Sequence, residues 1–119
     1  MFNTNIDIYK YRPITKGTYS LKIWGLPMQS LSDGRFRVEL INNDDRLMEC
    51  FDLNLRWAAH RKYLENYIGR IKSYGGISDV WFSSSGLLGD NWYSKESFIK
   101  AYSFCNLSFL NDLNLETAN

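Results

Sequence analysis

The sequence predicts an α+β fold, a two-layer sandwich in which two helices cover one face of a mostly antiparallel sheet of about five strands. Three observations predict it. Several segments alternate apolar and polar residues with the period of a strand, whereas residues 53–74 repeat with the period of a helix. The chain of 119 residues is 45% hydrophobic, enough for one core, so we expect a single domain over residues 1–119.

The first half of the chain predicts a three-stranded antiparallel unit. In segment 19–24, Tyr, Leu and Ile alternate with Ser, Lys and Trp, and the alternation is sharpest in segment 35–40. Residues 42–45 are Asn-Asn-Asp-Asp, a turn composition, so residues 46–51 are expected to return as the second strand of a hairpin.

Further strands are predicted where branched and aromatic residues cluster. Residues 77–83 form such a run, and residues 107–110 are expected to form a closing strand. A brief alternation within residues 5–11, ended by Pro13, indicates an edge strand. The stretch 84–91, rich in serine and glycine, is predicted to be a loop.

Residues 53–74 separate into two faces when they are placed around a helix. An apolar arc of roughly 140° results, and it contains Trp57, His60, Tyr63, Leu64, Tyr67, Ile68, Ile71 and Tyr74. Asp52 or Asn54 is expected to cap the start of this helix, and Gly75-Gly76 to provide a left-handed exit.

A second helix is predicted from an N-cap at Ser94 to about Cys105. Tyr93 precedes the cap and Phe98 takes the fourth helical position. This spacing is typical of a hydrophobic staple, in which the two side chains pack together and fix the entry of the chain into the helix.

Charge and cysteine content exclude several classes of function. The chain has 14 basic and 13 acidic residues, a net charge of +1, which argues against a polybasic nucleic-acid arm or an acidic decoy. No apolar run approaches the roughly 20 residues of a membrane span, and the first residues lack the layout of a signal peptide, so we expect a cytoplasmic protein. Cys50 and Cys105 are expected to be reduced thiols, with a disulfide as the alternative, and a chain with one histidine is not expected to bind zinc.

The sequence contains no recognisable set of catalytic residues, so we expect a protein that is not an enzyme and needs no cofactor. It has no phosphate-binding glycine loop, no zinc-protease helix motif and no nucleophile elbow. His60 lies in the apolar arc, and we expect a hydrogen-bonded core histidine, with a catalytic base or a buried pH-sensitive switch as alternatives.

Two groups of residues are candidates for contact with a partner protein. The stretch 39–52 is locally acidic, and its candidate electrostatic contacts are Asp44, Asp45, Glu49 and Asp52. The alternative is a solvated acidic surface. The candidate apolar anchors of the second group are Leu87, Leu88 and Trp92. The alternative is that these side chains fold back over the end of the sheet and cover the core.

A third group of residues is a candidate for contact with nucleic acid, as an alternative to a partner protein. The outer arc of the long helix is basic and carries Arg61, Lys62, Arg70 and Lys72. Nucleic-acid binding needs such cations interleaved with exposed aromatics, and Trp24 shares a strand face with Lys22. A plain solvated face is the alternative for these cations.

The C-terminal part of the chain has a pattern of strand, serine-capped helix and leucine-rich segment. The residues are Val80-Trp81-Phe82, Ser94 to Asn106, and Leu107-Ser108-Phe109-Leu110. With its size and aromatic content, the chain resembles the immunity proteins that accompany bacterial polymorphic toxins, including those of contact-dependent inhibition systems. The resemblance implies a cytosolic domain that neutralises a cognate toxin. Immunity proteins against nucleases are often acidic, whereas this chain is nearly neutral, which favours local charged patches as the contacts.

We therefore expect a stoichiometric protein-binding inhibitor, an immunity protein that covers or distorts the active region of a toxin. A phage-borne inhibitor of a host defence nuclease is a physically similar alternative. A small nucleic-acid-binding module is the alternative from a different class.

Overall fold

A computed structural model of the chain describes residues 17–26, 34–86 and 89–112. In chain order its elements are β1 (Tyr19–Gly25), β2 (Arg35–Asn42), β3 (Leu47–Asn54), α1 (Ala58–Ser73), β4 (Ile77–Gly86), β5 (Gly89–Tyr93), α2 (Lys95–Ala101) and two 3₁₀ helices, Ser103–Cys105 and Ser108–Asp112. The edge strand predicted within residues 5–11 lies outside the described residues.

The strands form one mixed sheet with the order β3-β2-β1-β4-β5. The pairs β1–β2, β2–β3 and β4–β5 are antiparallel, whereas β1 and β4 pair in parallel at the centre of the sheet. A parallel pair needs a crossover connection, and α1 lies in the connection that enters β4. The predicted α+β class with a mostly antiparallel five-stranded sheet is confirmed.

One face of the sheet is buried, as the alternation of the strands predicted. Its most deeply buried side chains on β1, β2 and β3 are Tyr19, Leu21, Ile23, Phe36, Val38, Leu40 and Leu53. Phe51 of β3 meets Tyr67 of α1 with ring centroids 4.9 Å apart, and Phe98 of α2 lies 5.0 Å from Phe82 of β4. Both helices therefore contact the same face, and aromatic pairs contribute to this packing beyond their buried area.

Helix α1 begins later than the sequence predicted. The predicted start at residue 53 falls inside β3, and the residue that precedes the helix is Trp57, whose side chain forms no capping hydrogen bond. The two expected caps belong to the strand: Asp52 pairs with Arg37 across the ladder, and Asn54 is the last residue of β3. The apolar residues at the end of β3 fit the helical period of α1. Periodicity alone therefore does not mark the boundary between the strand and the helix.

The predicted exit from α1 is confirmed. Gly75 and Gly76 have φ angles of 156° and 111°, where residues with a side chain are strained. Glycine is also required for space at this exit, because a Cβ on Gly75 would overlap the backbone carbonyl of Gly17. The chain thus passes from α1 into β4 in close contact with the start of β1.

The prediction of a loop over residues 84–91 is wrong. Strand β4 continues to Gly86, and β5 pairs with it from Gly89, with Ser83 opposite Trp92 and Phe82 opposite Tyr93. A segment rich in serine and glycine has a low intrinsic propensity for a strand. Pairing with a neighbouring strand overrides this weak propensity.

The start of α2 follows its prediction closely. The Ser94 side chain accepts a hydrogen bond from the Ser97 backbone N–H at 3.1 Å, which confirms the N-cap. The rings of Tyr93 and Phe98 lie 5.8 Å apart, as a hydrophobic staple requires.

The end of the described chain differs from its prediction. Helix α2 ends at Ala101 instead of near Cys105, and the expected closing strand at residues 107–110 is a 3₁₀ helix. Leu107 and Leu110 are both buried. A spacing of three suits a 3₁₀ helix, whose side chains eclipse at every third residue, whereas a strand would bury every second residue.

Gly25→Ala is expected to destabilise the protein by about 1–3 kcal/mol, the usual range for overpacking a core. A Cβ on Gly25 would overlap the hydroxyl of Tyr102 and lie 2.8 Å from its Cζ atom. The Tyr102 ring cannot move away easily, because it packs 4.7 Å from the ring of Phe36. The free energy of unfolding, measured by urea denaturation, checks this expectation.

Gly69→Ala is the matched control. Gly69 is exposed in α1, and no atom lies within 4 Å of the added Cβ. Alanine favours a helix over glycine, so this change is expected to stabilise the protein by about 0.5–1 kcal/mol. Equal effects of the two substitutions would contradict the close packing of Tyr102 on Gly25.

Candidate functional site

The second face of the sheet, which we call the outer face, carries the strand side chains that point away from α1 and α2. The register places one row of these side chains across all five strands, from β3 to β5: Asp52, Arg37, Trp24, Ser83 and Trp92. Lys22 and Trp81 are paired in the adjacent row. Successive strands bring residues from distant parts of the sequence together on this face.

Three tryptophans lie on the outer face. Trp81 and Trp92 are 51% and 57% exposed, and their rings meet edge to face at 5.6 Å. The Lys22 ammonium lies 4.9 Å from the ring of Trp24 and 5.2 Å from that of Trp92. We call Lys22, Trp24, Trp81 and Trp92 the tryptophan cluster. Cation–π contacts of this kind hold the lysine between two indoles.

Arg37 borders the tryptophan cluster and is paired with an acid. Its guanidinium forms two hydrogen bonds with the Asp52 carboxylate, at 2.7 and 3.0 Å, and lies 5.7 Å from the Trp24 ring. The hydrogen bonds with Asp52 raise the pKa of Arg37. The pair is bidentate, so it fixes the orientation of the guanidinium and cancels its charge locally.

The outer face carries charges of both signs. The described side chains on its strands include the cations Lys22, Arg35 and Arg37 and the anions Glu39, Asp52 and Asp79. A surface of this kind, aromatic at its centre and with both signs of charge around it, differs from the basic groove that follows a nucleic-acid backbone.

Ser83 lies under the tryptophan cluster and is fully buried. Among the residues that the structure describes, its hydroxyl has no hydrogen-bond partner, and the same is true of the buried indole nitrogen of Trp24. Buried polar groups are nearly always satisfied, so two unsatisfied donors at neighbouring positions are an exception that needs a physical reason.

The four acidic residues predicted as contacts do not form one patch. Asp44 and Asp45 lie in the exposed turn between β2 and β3, where the Asn42 side chain accepts the Asp44 backbone N–H at 2.9 Å. Glu49 lies on the helix side of the sheet and accepts a hydrogen bond from the Tyr67 hydroxyl at 2.7 Å. Asp52 lies on the outer face. Strand alternation therefore separates residues that are close in sequence.

Of the three predicted apolar anchors, the structure describes only Trp92. Leu87 and Leu88 lie outside the described residues. Trp92 lies on the outer face, as a strand residue of β5 instead of a loop residue. Sequence reasoning missed Trp81 as a surface residue, although alternation in 77–83 places it on the opposite side from Phe82.

Three of the four basic residues of α1 are engaged within the domain. The Arg61 guanidinium donates to the backbone carbonyls of Leu55 and Arg56, each at 2.9 Å, and Lys62 pairs with Glu65 at 3.5 Å.

Arg70 is half-buried, and its guanidinium lies 5.3 Å from the ring of Tyr67. Lys72 lies beside Phe109 in a groove between α1 and the last 3₁₀ helix. Because Arg61 and Lys62 are bonded within the domain and Arg70 is half-buried, this face is a weak electrostatic site for a phosphate backbone.

His60 is a buried, hydrogen-bonded histidine. It is 3% exposed, its Nδ1 atom accepts the Asn54 backbone N–H at 2.9 Å, and its ring meets the edge of Trp57 at 4.9 Å. The bond to Nδ1 requires the neutral imidazole, and burial lowers the pKa of His60 below its ordinary value of 6.5. This histidine joins the end of β3 to the start of α1.

The two cysteines lie on opposite sides of the sheet. Cys50 lies on the outer face, and burial raises the pKa of its thiol. Cys105 is fully buried on the helix side, and burial raises its pKa to about 11. Both are free thiols, and a thiol with a raised pKa is a poor nucleophile at neutral pH.

Comparison with known proteins identified no similar protein or structure. No family model matches the chain, and neither the curated proteins nor the solved structures yielded a match. Within residues 17–26, 34–86 and 89–112, no helix is long and apolar enough to cross a bilayer, and no group of three or more potential metal ligands occurs. The outer face is thus the strongest candidate site in the described part of the chain.

Stability is expected to decrease as the pH falls below 6.5, the ordinary pKa of histidine. Above that pH His60 is neutral in both the folded and the unfolded states and contributes no pH dependence. Below it the unfolded state binds the proton first, because burial lowers the pKa in the folded state, and the free energy of unfolding therefore falls.

His60→Gln isolates this effect. Glutamine cannot titrate but retains an acceptor for the Asn54 N–H, so the difference in free energy of unfolding between the native protein and the variant is expected to shrink as the pH falls from 7 to 5. Urea denaturation at several pH values measures it. A difference that is constant over this range would contradict a buried neutral histidine.

Proposed function

We propose that this chain is a stoichiometric protein-binding domain, without catalytic activity, that contacts its partner through the outer face. The observation that carries the proposal is the exposed pair Trp81–Trp92 beside Lys22, with Arg37 next to Trp24, on a sheet face that carries both signs of charge. Tryptophan and arginine are the residues most enriched among the energetic centres of protein interfaces.

The size of the outer face supports this role. Five strands about 4.8 Å apart, four of them at least seven residues long at about 3.3 Å per residue, make a platform of roughly 19 by 23 Å that is shorter at β5. A standard protein interface buries about 800 Å² on each partner. The platform and its adjoining turns, including the one with Asp44 and Asp45, supply much of this area.

Rigid anchors favour a preformed binding surface. Trp24, Trp81 and Trp92 stand on strands of one sheet instead of on loops. The Arg37–Asp52 pair fixes the guanidinium before a partner arrives. Binding to such a surface loses little conformational entropy, which improves affinity at constant area.

The class of partner that we propose is a cognate bacterial toxin, with this chain as its cytoplasmic immunity protein. Support comes from the small α+β fold and the position of His60, which is enclosed in the core instead of facing a cleft. An inhibitor of a host defence nuclease would be built in the same way and would use the same face.

Single-stranded nucleic acid is a second candidate, because exposed tryptophans next to cations also provide stacking platforms. The charges disfavour it. Arg37 is paired with Asp52, and Glu39 and Asp79 lie on the same face, so the surface lacks the excess of cations that phosphates require.

The double substitution Trp81→Ala with Trp92→Ala is expected to weaken the complex at least about 100-fold, because each anchor is worth about 2 kcal/mol or more in a hot spot. Wild type, double variant and control are used in parallel to capture proteins from the native host. The partner is identified as the protein that both the wild type and the control retain, and calorimetry with the purified partner measures the affinity of the double variant.

Trp57→Ala is the matched control, since it removes an indole that is 43% exposed at the start of α1, away from the outer face. It is expected to leave affinity unchanged, while thermal unfolding of all variants verifies that they are folded. Unchanged binding by the double variant would refute the proposal. Salt-sensitive binding of a random single-stranded oligonucleotide, lost in the same variant, would favour the second candidate instead.

A further inference from the structure

The centre of the outer face contains hydrogen-bond donors that have no acceptor within the described part of the chain. Ser83 is 0% exposed, and its hydroxyl has no partner there, as is also true of the indole nitrogen of Trp24. Lys22 forms no ion pair among the described residues. An indole N–H and an ammonium can only donate, and a hydroxyl without a partner can donate as well.

These donors occupy neighbouring positions of the sheet. Ser83 is paired with Trp24 on one side and with Trp92 on the other, so the two indoles flank it from strands that are about 9.6 Å apart. The Lys22 ammonium is within 4.9 and 5.2 Å of the same two rings. It therefore lies between the two indoles that flank Ser83.

We propose that this position receives a carboxylate of the partner protein, an aspartate or glutamate side chain that pairs with Lys22 and accepts hydrogen bonds from Ser83 and Trp24. The inference rests on the proposed function, since it names the chemistry that the partner presents to the outer face. It assigns Ser83, which no sequence motif singled out, to the binding site.

The chemistry of the donors selects this occupant. A carboxylate offers about four lone-pair sites and one negative charge, which match these donors and the charge of the Lys22 ammonium. Arg37 is already neutralised by Asp52, so the position suits a single charge. The flexible stem of Lys22 allows the ammonium to swing outward and uncover Ser83 while it keeps its charge pair with the incoming group.

Indole signals in ¹H–¹⁵N NMR spectra test the position in the isolated protein. The chain has four tryptophans, and the indole signal of Trp24 is assigned by its loss in Trp24→Phe. Sodium acetate is the probe. It is expected to shift the Trp24 indole N–H downfield along a saturable curve and to leave the Trp57 signal unmoved. Sodium chloride at the same ionic strength is expected to have no saturable effect.

Two variants identify the donors. Lys22→Met is expected to abolish saturation by acetate, and Ser83→Ala to weaken acetate binding about tenfold or more, the loss of one hydrogen bond to a charged group. Lys62→Met, which removes an exposed lysine from α1, is the matched control and should behave as wild type. Acetate shifts that persist in Lys22→Met would overturn the proposal.

A second probe separates the carboxylate from a phosphate. Dimethyl phosphate carries the same single charge and represents a nucleic-acid backbone. Saturable binding of dimethyl phosphate without binding of acetate would overturn the proposal in favour of nucleic acid, as would an effect of chloride equal to that of acetate. Acetate alone, or acetate bound more tightly than dimethyl phosphate, supports the carboxylate.

Binding to the captured partner distinguishes the two proposals. If Lys22→Met weakens the complex about tenfold or more and Lys62→Met does not, both proposals are supported. If the Trp81/Trp92 double variant loses the partner while Lys22→Met binds as wild type, the carboxylate inference fails and the protein-binding function stands. If the double variant still binds the partner but acetate saturates the Trp24 signal, the anion position stands and the proposed function fails.

Discussion

The parallel pairing of β1 with β4 is the constraint on which the outer face depends. Lys22, Trp24, Trp81 and Ser83 all belong to these two strands, and their register brings them into adjacent rows. Because side chains alternate between the faces, a slip of one residue would turn Trp81 inward and Phe82 outward. Burial of Leu21, Ile23 and Phe82 under the helices resists that slip, so the core fixes the arrangement of the surface.

The sequence predicts best those features that depend on local period. Alternation in 19–24 and 35–40 places Lys22, Trp24 and Arg37 on the side away from the core, and the structure confirms it. The serine cap of α2 and the glycine exit of α1 follow from local chemistry as well. The row of Trp24, Ser83 and Trp92 could not be predicted, because it depends on which distant strands pair and in which register.

Local sequence also misleads where two structural roles compete for the same residues. Residues 39–52 look like one acidic patch in the sequence, yet Glu49 points to the helices and bonds with Tyr67, while Asp52 points outward and bonds with Arg37. The segment 107–110 is too short to distinguish a period of two from a period of three. In each case the partner across the fold decides the role, and a single sequence does not contain that pairing explicitly.

Three of the four tryptophans lie on the outer face, so the protein carries an intrinsic optical reporter of that surface. Two indoles in edge contact at 5.6 Å couple electronically and give an exciton couplet in circular dichroism, and a cation next to indole rings alters their emission. Anything that separates Trp81 from Trp92, or displaces the ammonium beside them, changes both signals. Events on this face are therefore visible in the unlabelled protein by spectroscopy alone.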